Sequence, residues 1–264
     1  MSDFAGIGAR LEGRSVLVVG GGQQDYGMRD PPIGNGRAMS LLLAREGAAV
    51  AIADIDPDAA EQTAALVRED GRTAVTTIGD AGEERDLDRM FDEARAGMGG
   101  LDGLVMNVGI AGGIGFQGTT VEDWDRVLAV NLRSHFLGCK RALSSFADGG
   151  SVVLIGSLAG RESMPIPAYA ASKAALEAVC RNAAVEGAPR LRVNLLVPGL
   201  IDTSLGRLAT SINPARADVR IPAGRHGSAW EVAQCAAFLL SDQASYVTGQ
   251  SLVVDGGLSV AVRT

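Results

Sequence analysis

SVLVVGGGQQDYGMRDPPIGNGRAMSLLLAREGAAVAIAD, residues 15–54, runs from one continuously apolar stretch to another through a glycine-rich turn and an amphipathic segment. Short β-branched runs of this kind read as strands buried on both faces, as in a parallel sheet. Parallel strands need a long crossover, and RAMSLLLAREG supplies a helix between them. The stretch is therefore a βαβ unit. Gly20, Gly21 and Gly22 end its first strand, and Gly34, Asn35, Gly36 and Arg37 open its helix. Backbone free of side chains lets a pyrophosphate approach, and the N–H groups and positive end of the helix meet its charge. Asp54 closes the second strand, where a carboxylate accepts hydrogen bonds from both adenosine ribose hydroxyls and repels a 2′-phosphate. Ile55 follows it, not an arginine that would pair with such a phosphate. The pattern favours NAD over NADP. Taken alone, Asp54 also reads as a strand-ending turn residue.

The same alternation continues outward. TAVTTIG (73–79), LDGLVMN (101–107), SVVLIGS (151–157), LRVNLLVPG (191–199) and SLVVDGG (251–257) join SVLVVG (15–20) and AAVAIAD (48–54) as strands, seven in all. Helical patterns separate them, the longest being VEDWDRVLAVNLRSHFLGCKRALSSF and YAASKAALEAVCRNAAVEG. Strict alternation predicts an α/β fold: a single-domain Rossmann architecture over residues 1–264, with a doubly wound parallel sheet and helices on both faces. Residues 21–33 and 202–224 stand out as irregular, the first an excursion within the glycine turn and the second a stretch broken by proline and arginine.

Composition narrows the function classes. A formal charge of −7 argues against nucleic acid or an anionic membrane as partner, because both need a basic face. Cys139, Cys180 and Cys235 are scattered, odd in number and without metal spacing, so they read as buried residues in a reducing compartment. His135 and His226 also lack ligand spacing, and no metal is expected. The first fifteen residues hold no apolar core of signal-peptide length, and no apolar run approaches a membrane span of about 18 residues. A cytoplasmic location is the expectation.

Tyr169 and Lys173 stand four apart in a helical pattern, on one face, twelve residues after Ser157 at the end of a strand. A tyrosine with an ordinary pKa of about 10 is a poor base at neutral pH, and each unit of depression requires about 1.4 kcal/mol of preferential phenolate stabilisation. Lys173 and a positively charged cofactor ring can supply several such units in a partly dry site. The pair alone decorates many exposed helix faces; its company gives it meaning.

With these residues assembled, the chain resembles the classical short-chain dehydrogenase/reductase family over essentially its whole length. The matching pieces are GNGRA at the turn, Asp54, Asp80 after the third strand, NVGIAG (107–112), VNL (130–132), IGSLAG (155–160), YAASK (169–173), PGLIDT (198–203) and YVTGQSLVVDGG (246–257). The resemblance implies a catalytic set of Asn131, Ser157, Tyr169 and Lys173, and a homotetramer or homodimer built on the long helices. Ser157 would donate to the substrate oxygen, Tyr169 would exchange the proton, and Lys173 would hold the nicotinamide ribose and lower the Tyr169 pKa. Asn131, read plainly, is a back-bond or kink in a long helix; by resemblance it anchors a water that connects Lys173 to solvent. Asp80, Ala81, Asn107 and Gly109 would line the adenine and ribose side. Pro198 and Gly199 would be followed by Ile201 and Thr203 holding the nicotinamide amide.

Two departures and one variable region remain. Gly20 and Gly34 have thirteen residues between them where the family usually has three, and this excursion reads either as a partial lid carrying Tyr26 and Arg29 or as a tolerated surface loop. NVGI stands where many relatives have a second asparagine and an alanine. In the stretch that closes over substrate in the family, Arg207, Arg216 and Arg220 face a single Asp218. They read as an anion site or as solvated charge. Gly113, Ile114, Phe116, Ser163, Met164 and Ile166 are expected along the same cleft. The reading is an NAD-dependent oxidoreductase acting on a secondary alcohol or ketone. NADP-linked ketoreduction, an epimerase or dehydratase using the cofactor transiently, and an idle nucleotide sensor are the alternatives.

Overall fold

Side chains of successive strand residues point to opposite faces, so a strand that is apolar throughout must be covered on both sides. The computed structural model, which describes residues 9–261, meets that demand with helices on the two faces. In chain order the first half comprises β1 (Ser15–Val19), α1 (Asn35–Arg45), β2 (Ala49–Asp54), α2 (Pro57–Glu69), β3 (Ala74–Ile78), α3 (Glu84–Met98) and β4 (Gly103–Met106). The second comprises α4 (Val121–Leu128), α5 (Ser134–Ser145), β5 (Gly150–Ile155), α6 (Pro167–Gly187), β6 (Leu191–Pro198), β7 (Ile201–Asp202), α7 (Ser204–Ile212), β8 (Gly227–Ser228), α8 (Ala229–Leu240) and β9 (Ser251–Val254).

Seven strands form one parallel sheet in the order β3-β2-β1-β4-β5-β6-β9, and β7 pairs with β8 in a separate short ribbon. Val16 and Val18 of β1 pack with Val50, Ile52, Val105 and Val153 under α1, α2 and α8. Leu17 and Val19 pack with Ala51, Leu104, Leu154 and Val193 under α3, α5 and α6. Two cores on alternate side chains of the same strands define the doubly wound sheet read from the sequence. Strand order reverses between β1 and β4, and a crevice opens beyond the carboxyl ends of the strands at such a reversal.

Two helical segments differ from expectation. The long pattern over 121–146 is two α-helices joined by a π-helical turn at Ala129–Arg133, which places Asn131 at the irregularity. Residues 202–224, expected to be irregular throughout, contain α7 and a 3₁₀ turn at Pro214–Asp218. Thr203 caps α7 by accepting from the Gly206 amide at 3.0 Å, so the helix starts from a defined point despite the proline that ends the stretch. The excursion at 21–33 is irregular, as expected.

Candidate active site

The crevice beyond the strand ends is a cleft of about 930 Å³. Every catalytic and cofactor-binding residue expected from the sequence except Asn131 lines it. Its two ends are built differently.

At the β1–β2 end the shape comes from missing side chains. Gly20 has φ +78°, and a Cβ on it would lie 2.9 Å from the Val108 amide nitrogen; a Cβ on Gly36 would collide with the Gly20 carbonyl oxygen. The Asn107 side-chain amide donates to that same carbonyl at 2.7 Å, tying the glycine turn to the end of β4. Asp54 accepts from the Gly22 amide at 2.9 Å, and Ile55 beside it is largely exposed. Helix α1 begins with Gly34 as N-cap, has no side-chain cap and carries no acidic residue in its first turn. By contrast α2, α4 and α8 are capped by Asp56, Thr120 and Ser228. The buried Asn35 Oδ1 lacks a hydrogen-bond partner. Uncapped N–H groups, a glycine cradle and an unspent acceptor together fit a dinucleotide pyrophosphate and its ribose.

The excursion crosses this end. The Gln23 side chain accepts from the Gly34 amide at 2.8 Å, Gln24 donates to Asp56 at 2.9 Å, and the Ser204 hydroxyl of α7 donates to the Pro32 carbonyl at 3.0 Å. Tyr26, with φ +53°, lines the cleft near Asp54, whose charge adds to burial in raising the Tyr26 pKa. Arg29 is exposed and lies outside the cleft lining. Asp80 is held by Arg126 at 2.8 Å and accepts from the Gly82 amide at 2.9 Å.

At the β5 end, side chains make the chemistry. Ser157 follows β5 and Tyr169 lies in the first turn of α6, with the Ser157 side chain near enough to the Tyr169 phenol to lower its pKa. Lys173, one turn on, is buried, and its Nζ donates to the Ile155 carbonyl at 2.8 Å. Desolvation lowers the Lys173 pKa to about 7. Burial raises the Tyr169 pKa, opposed by the Ser157 hydrogen bond and the Arg216 charge. The expected depression of Tyr169 by Lys173 is not the balance in this structure, because Lys173 sits as a partly neutralised buried amine bonded to a carbonyl.

Asn131 stands behind the cleft, fully buried, and accepts from the Ile110 amide while donating to the Ile110 carbonyl, each at 2.8 Å. Its amide also donates to Ser172, whose hydroxyl donates to the Tyr169 carbonyl at 2.7 Å. A Cβ at Gly109 would lie 3.3 Å from Lys173 Nζ, so the 107–112 segment and the lysine share one wall. Ser163, Met164, Ile166, Arg216 and Arg220 line the cleft as expected, whereas Gly113, Ile114, Phe116 and Arg207 do not. Ile114 and Phe116 point to solvent, and Arg207 is turned onto Asp202. Leu205 and Ala209 of α7, with Val219, complete the apolar wall. Their helical spacing was the signal: Leu205, Leu208, Ala209 and Ile212 recur at three and four residues.

A parallel sheet reversing at β1/β4, a glycine cradle and a Ser-Tyr-Lys cluster at one cleft define a dinucleotide-dependent oxidoreductase class. Residues 33–259 match the family model described as enoyl-(acyl carrier protein) reductase, a match that begins at the last residue of the excursion. The chain is 35% identical over 260 residues to 2-(S)-hydroxypropyl-CoM dehydrogenase 3 of Xanthobacter autotrophicus, covering 95% of this chain and 98% of that one. It is 38% identical over 231 residues to the inactive 2-(S)-hydroxypropyl-CoM dehydrogenase 2 of the same organism, covering 84% and 99%. The crystal structure of levodione reductase superposes with a TM-score of 0.86 at 31% identity, over 96% of this chain and all of that one. The chain belongs to the short-chain dehydrogenase/reductase family, whose dehydrogenases use nicotinamide cofactors.

Proposed function

We propose that the chain is an NAD-dependent oxidoreductase interconverting a secondary alcohol and its ketone, with Tyr169 as general acid/base. The observation that carries this is the meeting of Ser157, Tyr169 and buried Lys173 in the same cleft as the glycine cradle and Asp54. When bound, the nicotinamide ring supplies the hydride acceptor or donor. Gly20, Gly34, Asn35 and Gly36 would hold its pyrophosphate, Asp54 the adenosine ribose hydroxyls, and Asp80, Ala81, Asn107 and Gly109 the adenine and ribose side. Pro198, Gly199, Ile201 and Thr203 would border the nicotinamide amide. The Thr203 hydroxyl oxygen already accepts from Gly206, which leaves its hydrogen to donate.

In the oxidising direction Tyr169 takes the alcohol proton while Ser157 donates to the substrate oxygen; in the reducing direction Tyr169 returns it. Lys173, with a pKa near neutrality, can gain and lose a proton at working pH and can donate to ribose hydroxyls. Asn131 holds the Ile110 backbone and, through Ser172, the Tyr169 turn of α6. Asp54 supports NAD over NADP through like-charge repulsion.

Self-association through α4, α5 and α6 accompanies this reading, supported by exposed Val121, Phe136 and Val185, and sedimentation velocity measures it. Among the described residues no helix is long and apolar enough to cross a membrane.

The test is NADH formation from NAD⁺ over a panel of secondary alcohols, with NADP⁺ wells and Tyr169→Phe alongside. Turnover that is lost in the variant and is preferred with NAD⁺ supports the reading. Turnover that persists without the phenol overturns Tyr169 as the proton carrier. An idle nucleotide-binding protein is the second reading, favoured by the relative named inactive; dinucleotide binding with no turnover on any alcohol would support it.

A further inference from the structure

The three arginines of the variable stretch have separate fates. Arg207, on α7, forks onto both oxygens of Asp202 at 2.8 and 2.9 Å, so its charge is spent outside the cleft. Arg220 lines the cleft but is exposed. Arg216, on the 3₁₀ turn after α7, is the one residue of 211–220 drawn out of solvent. Its Nε is buried without a hydrogen-bond partner, and it makes no ion pair among the described residues.

The surroundings of Arg216 are those of the reacting atoms. It lines the same cleft as Ser157 and Tyr169, and its charge reaches the Tyr169 phenol. Met164, Ile166, Leu205, Ala209 and Val219 give that end an apolar wall. Of the cleft carboxylates, Asp54 and Asp80 stand at the opposite, glycine-turn end, and Glu162 is at this end. A half-desolvated guanidinium beside apolar walls is costly until it meets an anion, and its planar donor fork matches a carboxylate or sulfonate bidentately.

We propose that the substrate is a secondary alcohol or ketone bearing a carboxylate or sulfonate group, and that Arg216 is the specificity-determining residue that takes this group by a forked hydrogen bond. The inference rests on the oxidoreductase reading above and names its substrate class. It selects one arginine from a stretch in which sequence alone distinguishes none.

The decisive experiment separates binding from turnover. Tyr169→Phe protein loaded with NADH is titrated calorimetrically with 3-oxobutanoate, 4-oxopentanoate and 5-oxohexanoate and with their uncharged amides, which spans the reach from carbonyl to anion. At least one acid is expected to bind about 30-fold or more tightly than its amide. That preference should fall to within about threefold when Arg216→Gln is added, and recover in part with Arg216→Lys. Arg207→Gln should keep it. NADH affinity should stay within about threefold in the Arg216 variants. Equal binding of every acid and amide, a preference that survives Arg216→Gln, or a matching loss of NADH affinity would each overturn the assignment. Wild-type NADH oxidation by the same ketones and by neutral cyclic ketones runs in parallel. Turnover of neutral ketones without anion preference leaves the oxidoreductase reading standing and removes the anion site. Anion preference in binding with no ketone turned over does the reverse.

Discussion

The two ends of the cleft are made by opposite means. At the glycine-turn end, recognition is a matter of what is absent: Gly20 and Gly36 leave backbone in contact with backbone, and α1 leaves its first N–H groups uncapped. At the β5 end it is a matter of what is present, a phenol, a hydroxyl and a buried amine on elements fixed by the sheet. Adding an atom should harm the first end, and removing one should harm the second. On the proposed function, the dinucleotide end is specified by steric allowance and the reacting end by protonation states.

Removing the phenol is the strongest challenge to that contrast. Tyr169→Phe is expected to lower kcat by about 10² to 10⁴. NAD⁺ affinity by fluorescence quenching should change little, because the Tyr169 phenol stands at the β5 end of the cleft, apart from the glycine cradle. The mirror experiment adds one methyl: Gly36→Ala pushes a Cβ into the Gly20 carbonyl and should raise the NAD⁺ dissociation constant by more than about tenfold, with about 1–3 kcal/mol lost in urea unfolding. If Gly36→Ala bound NAD⁺ normally, the cradle would not be the dinucleotide seat. Asp54→Ser should shift the ratio of kcat/KM for NAD⁺ over NADP⁺ by about 10- to 100-fold toward NADP⁺, as a repelling charge is withdrawn.

Protonation distinguishes the ends further. Lys173 has a folded pKa of about 7, below the ordinary 10.5. Between those values the unfolded chain holds more protons than the folded one, so this group makes the cofactor-free protein more stable as pH rises above 7, by up to about 1.4 kcal/mol per unit. Urea melts at pH 7.0, 7.8 and 8.5 should show a rise that Lys173→Met flattens. The smallest expected effect is at the excursion. Deleting residues 24–31 should weaken NAD⁺ severalfold through loss of Tyr26, and should change stability by less than about 1 kcal/mol, since closure entropy varies slowly with length. Unchanged affinity and turnover would reduce the excursion to a surface loop.

The same asymmetry governs what could be read from the sequence. All seven sheet strands follow from apolar runs and turns: burial on two faces writes itself into nearly every residue of the central strands β1, β2, β4, β5 and β6, while the edge strands β3 and β9, only partly covered, were legible from their β-branched residues and bounding turns. The glycine cradle, Asp54, Ser157, Tyr169 and Lys173 were legible as residue types at spacings with a chemical reason. Helix α7 was hidden by the proline after it, although Thr203 and the spacing of Leu205, Leu208, Ala209 and Ile212 announce it. The π-helical turn at 129–133 was legible only as a kink at Asn131, because the residue's partner, Ile110, comes from another segment. The different environments of Arg207, Arg216 and Arg220 depend on which face of a short turn meets the cleft, and no local pattern encodes that.

The hydrogen bond from the Gly34 amide to the Gln23 side chain draws together two points eleven residues apart. The excursion between them is tied down further near its two ends, by Gln24 to Asp56 and by Ser204 to the Pro32 carbonyl, while the helix below starts from the glycine it would need in any case. In evolutionary terms the neck is a socket: segments of other lengths and sequences can be exchanged there without resetting βαβ geometry. The border of the cleft can therefore be rewritten piece by piece while the sheet and helices beneath it are left alone.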